Sequence, residues 1–351
     1  MKKIKVKICG GDITAVYGYS YFIFSILQKY YEVELSENPD YLFFHESTYD
    51  HYKYDDSIKI FYTGENISPN FNLCDYAFGF DYMTFEDRYY RLPLYLVRVF
   101  YNLDDLITPE KSYLTEPPTP FTKKNLLSKT GFCSFVYSNY RASTERKEMF
   151  EMLSKYKKVS SAGSYLNNIG GEKLADKLSY ERNHKFSIAF ENSSRSGYTT
   201  EKIVSAFAAQ TIPIYWGNPK IDNEFNTKRF INCHDYNSFN EVIERVKEID
   251  SDDDLYLKMV NEKLQAPGAD LPLVREKFDD FIQNIIDQDL LKAKRRTINP
   301  VKALELRKYA EFIESSYMRS SRRLVLLTKL YRPFKKIKVI ERLKYRFFKM
   351  K

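Results

Sequence analysis

Ile4, Val6 and Ile8 alternate with Lys3, Lys5 and Lys7, a period of two that predicts a strand with one buried face. Apolar positions then take helical spacing around residues 19–31, and short β-rich runs follow at 33–35, 41–45, 58–62 and 76–80. Strands alternating with a helical pattern predict an α/β unit built on a parallel sheet. Over 103–130 the pattern breaks: Pro109, Pro117, Pro118 and Pro120 stand among polar residues, where neither a helix interior nor a central strand can be sustained. Beyond that boundary the alternation resumes, with strands predicted over 132–137, 158–162, 186–190, 211–216 and 230–234 and helices over 144–156 and 200–210. Helices near 237–248, 252–265 and 272–287 complete a second α/β unit. The chain is therefore expected to divide into 1–125, 126–290 and a charged helical segment over 291–351.

With 351 residues, 43% of them hydrophobic, each unit can bury a core of its own. An aromatic content of 16% excludes a disordered chain, and rings of this kind also line carbohydrate and nucleotide sites. Cys9, Cys74, Cys133 and Cys233 are scattered without a C-x-x-C pair, which points away from a zinc ribbon or a disulfide scaffold and toward reduced thiols in a cytosol. The start of the chain lacks the continuous apolar stretch of a signal peptide, and no run of about 18 apolar residues occurs, so a cytoplasmic protein without a membrane span is expected. Net charge changes the picture more. Residues 319–351 carry thirteen Lys and Arg against the single acid Glu341, an excess larger than the +8 of the whole chain. The remaining body is net acidic, which argues against a nucleic-acid surface. The tail, where bases mix with Leu, Ile, Tyr and Phe, is expected to lie as a basic amphipathic anchor on the anionic inner face of a membrane.

Candidate chemistry concentrates in the run Phe190-Glu191-Asn192-Ser193-Ser194-Arg195-Ser196-Gly197-Tyr198-Thr199-Thr200-Glu201-Lys202-Ile203, followed by Ile212-Pro213-Ile214-Tyr215-Trp216-Gly217-Asn218-Pro219. It reads as strand, polar loop, helix start, strand and tight turn. Thr199 or Thr200 is placed to cap the helix, whose amides and dipole then favour an anion such as a nucleotide diphosphate, with Lys202 adding a charge in the first turn.

This run closely resembles the donor-binding signature of the α1,3/4-fucosyltransferases, glycosyltransferase family ten, and of their bacterial members in particular. A second run, Phe61-Tyr62-Thr63-Gly64-Glu65-Asn66 with Ser68-Pro69-Asn70-Phe71-Asn72-Leu73, Asp75-Tyr76-Ala77 and Gly79-Phe80-Asp81, resembles the family's acceptor-domain motif. The likeness extends from roughly residue 30 to residue 285. It implies an α/β fold of GT-B type, two Rossmann-like domains facing a cleft, ahead of the basic amphipathic C-terminal tail. It also implies GDP-fucose as donor, inversion at the anomeric carbon, an N-acetyllactosamine-type glycan as acceptor with α1,3 or α1,4 linkage, and no cofactor or metal. Glu65 matches the family's base. Arg146 matches its phosphate arginine, with one extra residue in the spacing that leaves Arg141 as the alternative. Glu201 matches the glutamate on the donor sugar's hydroxyls, Lys202 serves the phosphates, and Asn192 and Tyr198 shape the donor site. Where many relatives read Gly-Tyr-Gly-Tyr, this chain has Arg195-Ser196-Gly197-Tyr198, so Arg195 is either an added phosphate contact or a surface residue.

Rival signals carry less. Asp252-Asp253-Asp254 has the D-x-D spacing of a metal site but follows Ser251 as a helix start should. His45, His51, His184 and His234 lack metal-ligand spacing, and Gly10-Gly11 reads as a tight turn. A transferase using another nucleotide sugar, or a non-catalytic membrane-binding protein, are the competing functions.

Overall fold

Alternation along β1 (Lys3–Cys9) buries Ile4 and Val6 and leaves Lys3 and Lys5 outside, as its period requires. The neighbouring strands β3 (Tyr41–Phe44), β4 (Ile58–Tyr62) and β5 (Tyr76–Gly79) are buried at every position, the mark of central parallel strands covered on both faces. With β2 (Glu32–Leu35) and β6 (Tyr89–Arg91) they form a six-stranded parallel sheet in the order β2-β1-β3-β4-β5-β6. Helix α1 (Tyr19–Tyr30) buries Phe22, Ile23, Ile26 and Leu27 against it. The computed structural model describes residues 1–316 apart from 11, 15–17, 49, 104–119, 171–173, 175, 298, 300, 310 and 314. The expected tail over 319–351 and Pro109, Pro117 and Pro118 lie outside the described residues.

The second sheet is parallel too, in the order β11-β10-β9-β7-β8, built from β7 (Gly131–Phe135), β8 (Val159–Ser161), β9 (His184–Phe190), β10 (Ile212–Trp216) and β11 (Ile231–Asn232). In each sheet the first strand pairs with the second on one side and the third on the other, which makes a switch point where the following loops splay apart: β1/β3 in one, β7/β9 in the other. Carboxyl ends of the two sheets face one another across a cleft, the GT-B arrangement.

Several elements depart from the periodicity reading. Strand β6 and helix α2 (Leu94–Leu103) are not anticipated by it, nor is α5 (Lys177–Arg182). The strand expected over 230–234 closes after two residues, because the Asn232 side chain accepts the His234 amide at 3.3 Å and starts a turn. Within 103–130 a short helix, α3 (Lys123–Leu127), opens behind Pro120 with Thr122 and Asn125 capping each other. A helix does start at the acidic run, α8 (Asp253–Val260), but Ser251 is the last residue of the preceding helix and the cap is Asp252, which accepts the Asp254 and Leu255 amides at 3.0 and 2.9 Å.

Chain order and packing part company near the end. Helix α9 (Leu271–Asp287) follows the second unit but lays Phe278 against Phe22, Phe78 and Tyr90 of the first, while Tyr41 Oη donates to Ile286 O at 2.8 Å. Further on, Arg296 forms a buried ion pair with Asp75. The segment thus closes the first domain's core, and residues 291–296 are part of that body. Helix α6 (Glu201–Ala208) packs on α2, so one apolar cluster runs unbroken from Phe22 and Phe100 to Ile203 and Phe207. No helix among the described residues is long and apolar enough to cross a membrane.

Candidate active site

The β9–α6 loop leaves a buried strand end with a carboxylate. Glu191 is fully buried, and three donors meet it: the Thr200 amide at 2.8 Å, Thr200 Oγ1 at 2.7 Å and Lys202 Nζ at 3.0 Å. Thr200 holds the N-cap position of α6, yet its hydroxyl caps nothing. Glu191, just past the end of β9, accepts both the amide and the hydroxyl of Thr200 and so draws the hydroxyl away from the helix. Burial lowers the Lys202 pKa, but Glu191 and then Glu201 more than offset this and the net shift is upward. The charge that the sequence assigned to a diphosphate is therefore already balanced by Glu191. Glu201, half-buried in the first turn, has its pKa raised by burial and pulled lower overall by Lys202, Lys177 and Arg98.

Arg146 is the opposite case. Carried by α4 (Glu145–Ser154), it is 1% exposed, stacks over the Tyr137 ring at 4.0 Å, and donates to Phe190 O at 2.9 Å, Asn192 Oδ1 at 3.0 Å and Asn139 O at 3.3 Å. All of these partners are neutral. Among the described residues no carboxylate lies within ion-pairing distance, and its buried Nε has no partner. A buried cation without a counter-charge is costly, so this position favours an anion. It sits at the β7/β9 switch point, where such folds place ligands. Arg141 is exposed and hydrogen-bonds Tyr140 instead. Of the two candidate arginines, only Arg146 reaches the donor loop.

Glu65 enters from the other sheet, just past β4. The Thr63 hydroxyl accepts its amide at 3.0 Å, a local turn that fixes the loop's start. The residue is exposed at the cleft, but protein atoms crowd its carboxyl enough to raise the pKa, with Glu46 adding to the rise. Lys202 opposes the shift, Glu201 reinforces it, and Asn192 opposes it. Three of the five influences on this first-domain carboxyl come from the second domain's donor loop. Tyr198 is buried and packs edge-on against Phe80 at 5.1 Å, on the seam between the domains.

Arg195, a phosphate contact or a surface residue by its sequence position, keeps 39% of its side chain exposed and is tied to the other domain. Its guanidinium crosses the cleft to Asn66 Oδ1 at 3.1 Å, Asp81 Oδ1 at 2.7 Å and Ser68 Oγ. A further crossing is the ion pair of Arg91 with Glu224, which also accepts from Tyr82 at 3.1 Å and Asn218 at 3.1 Å. Sequence reasoning missed Glu191 as a holding residue and this Arg91–Glu224 cluster. An acid straight after the apolar end Ile188-Ala189-Phe190 of a strand was the available signal for Glu191; for Arg91 and Glu224, far apart in sequence, there was none.

Two family sequence models match the chain: Alpha-(1,3)-fucosyltransferase FucT N-terminal domain over residues 13–101, and Glycosyltransferase family 10 (fucosyltransferase) C-term over residues 126–266. The chain is 37% identical over 266 residues to Alpha-(1,3)-fucosyltransferase FucT of Helicobacter pylori, covering 68% of this chain and 55% of that protein. It is 30% identical over 172 residues to human 4-galactosyl-N-acetylglucosaminide 3-alpha-L-fucosyltransferase 9, covering 48% of this chain and 46% of the other. The chain thus spans about half the length of the curated relatives it matches. A crystal structure of an alpha1,3-fucosyltransferase with GDP-fucose superposes with a TM-score of 0.64 at 31% identity, covering 81% of this chain and 92% of that one.

Proposed function

The chain belongs to the fucosyltransferases of glycosyltransferase family 10, and from that premise we propose that it moves L-fucose from GDP-fucose to a hydroxyl of GlcNAc in an N-acetyllactosamine-type glycan. The observation that carries this reading is Glu65: a carboxylate on one sheet, with a raised pKa, whose surroundings come from the donor loop of the other. An ionised Glu65 takes the proton from the acceptor hydroxyl as its oxygen attacks the anomeric carbon. The bond to the diphosphate breaks on the opposite face, so configuration inverts. Negative charge gathers on the departing GDP. Arg146, buried with an unpartnered Nε, is the group proposed to stabilise that charge, and the Glu191–Lys202 pair holds the start of α6. Charge stabilisation and proton removal are both covered by these side chains, so the reaction is proposed to need neither metal nor cofactor.

Purified protein incubated with GDP-fucose and N-acetyllactosamine should yield fucosylated glycan and free GDP in equal amounts, with activity retained in EDTA. Product formed only from another nucleotide sugar would overturn the donor assignment, and linkage analysis of the product decides between α1,3 and α1,4. The basic segment 319–351 supports a peripheral position on an anionic inner membrane face, where lipopolysaccharide or capsule chains would be the acceptors. Deleting that segment should release the protein from anionic liposomes and leave activity on the soluble acceptor intact.

A further inference from the structure

A long cation in the polar loop 192–196 would ordinarily lie solvated on the surface. Arg195 does not. Its three hydrogen-bond acceptors, Asn66, Ser68 and Asp81, all belong to the other domain, and its guanidinium stacks over Phe80 at 5.0 Å, again across the seam. Asn66 and Ser68 lie one and three residues beyond Glu65. Asn66 also answers in the reverse direction, its Nδ2 donating to Ser193 Oγ in the donor loop. The loop bearing Glu65 is therefore held at its entry by Thr63 of its own domain and at its exit by Arg195 and Ser193 of the other. Gly197 makes the approach possible. At φ +83° it occupies the left-handed region, and a Cβ there would fall 2.3 Å from Phe80 O.

The geometry points to Arg195 as a positioning residue that straps the Glu65 loop to the donor loop and so sets the distance between base and donor; this rests on the reading of Glu65 as the base. The side chain is 39% exposed, so the strap contributes little to global stability. Its contribution is directional. A planar fork meeting three acceptors over an aromatic ring defines an orientation, which a single ammonium cannot.

Arg195→Ala, Arg195→Lys and Asp81→Asn are compared with the wild type in steady-state transfer to N-acetyllactosamine and in amide hydrogen exchange over residues 63–70. Arg195→Ala is expected to lower kcat about tenfold to a hundredfold, the penalty of a small misplacement of reacting groups. Its KM for GDP-fucose should stay within about threefold of the wild type, because no direct donor contact is removed. Protection over 63–70 should fall. Arg195→Lys keeps one partner and should recover part of both losses, and Asp81→Asn should lose less than Arg195→Ala. If Arg195→Ala does not fold, the other two variants carry the same expectation. A raised KM with unchanged kcat would mean that Arg195 touches the donor directly, and unchanged exchange over 63–70 removes the strap whatever happens to kcat. Should the wild type transfer no fucose at all, the enzymatic reading fails, and exchange alone decides whether the strap stands.

Discussion

Glu65 and Glu191 each follow the last apolar residues of a central strand, and the structure treats them in opposite ways. Glu191 is fully buried and satisfied by two hydrogen bonds from Thr200 and an ion pair with Lys202. Glu65 stays open to the cleft with its ionised form disfavoured. Lys202 and Arg146 repeat the contrast among cations, one paired with a carboxylate and the other buried among neutral acceptors. A charge that is balanced inside the protein builds the site. A charge left without compensation is available to a substrate.

The sharpest way to break this comparison is to neutralise both acids. Glu65→Gln should lower kcat by about 100-fold to 10,000-fold, the usual worth of a general base, with GDP binding by calorimetry little changed. Its thermal stability at neutral pH should equal or exceed the wild type. A carboxyl whose folded pKa is raised costs stability once pH climbs above its unfolded pKa, and the amide removes that cost. Glu191→Gln should do the reverse, losing about 3–5 kcal/mol in urea denaturation because Lys202 is left as a buried charge without its counter-ion. A Glu191→Gln protein as stable as the wild type would end the distinction between the two acids.

Arg146→Met tests the cations. GDP affinity should fall by about tenfold to a hundredfold, since a charge-assisted contact to phosphate is worth about 1.5–3 kcal/mol. Stability should also drop, by about 1–3 kcal/mol, because the buried acceptors Phe190 O and Asn192 Oδ1 lose their donor. Wild-type GDP affinity in the variant would move the diphosphate elsewhere. The smallest effect expected is on pH dependence. Glu65 must be ionised to accept a proton, so kcat/KM should decline as pH falls through its pKa, with a midpoint above the ordinary 4.5 and no such limb in Glu65→Gln. A midpoint at or below 4.5 contradicts the crowding of the carboxyl.

Much of the molecule was legible in its sequence because the information is local. Alternation in Lys3–Cys9, the β-rich run Ile58–Tyr62 and the acidic helix start at Asp252 to Asp254 are set by neighbours within a few residues, and strand and helix formed accordingly, with Asp252 rather than Ser251 as the cap. The motif around Phe190–Lys202 placed the donor loop correctly between strand and helix. Short elements such as β6 (Tyr89–Arg91) escaped because three residues offer too little period to read. Helix α9 was legible as a helix but not as a lid on the first domain's core, since an amphipathic stripe does not name the surface that will cover it.

From the sequence alone came two parallel α/β units, the loops that carry polar groups and the residue types in them, all functions of local pattern. Only the tertiary structure decided which charges cancel. Lys202 meets Glu191 across eleven positions of one chain segment, Arg195 meets Asp81 across 114 and Arg91 meets Glu224 across 133, while Arg146 meets no acid among the described residues. Compensation depends on distances of a few ångströms between groups brought together by folding, and Coulomb interaction is steep over that range.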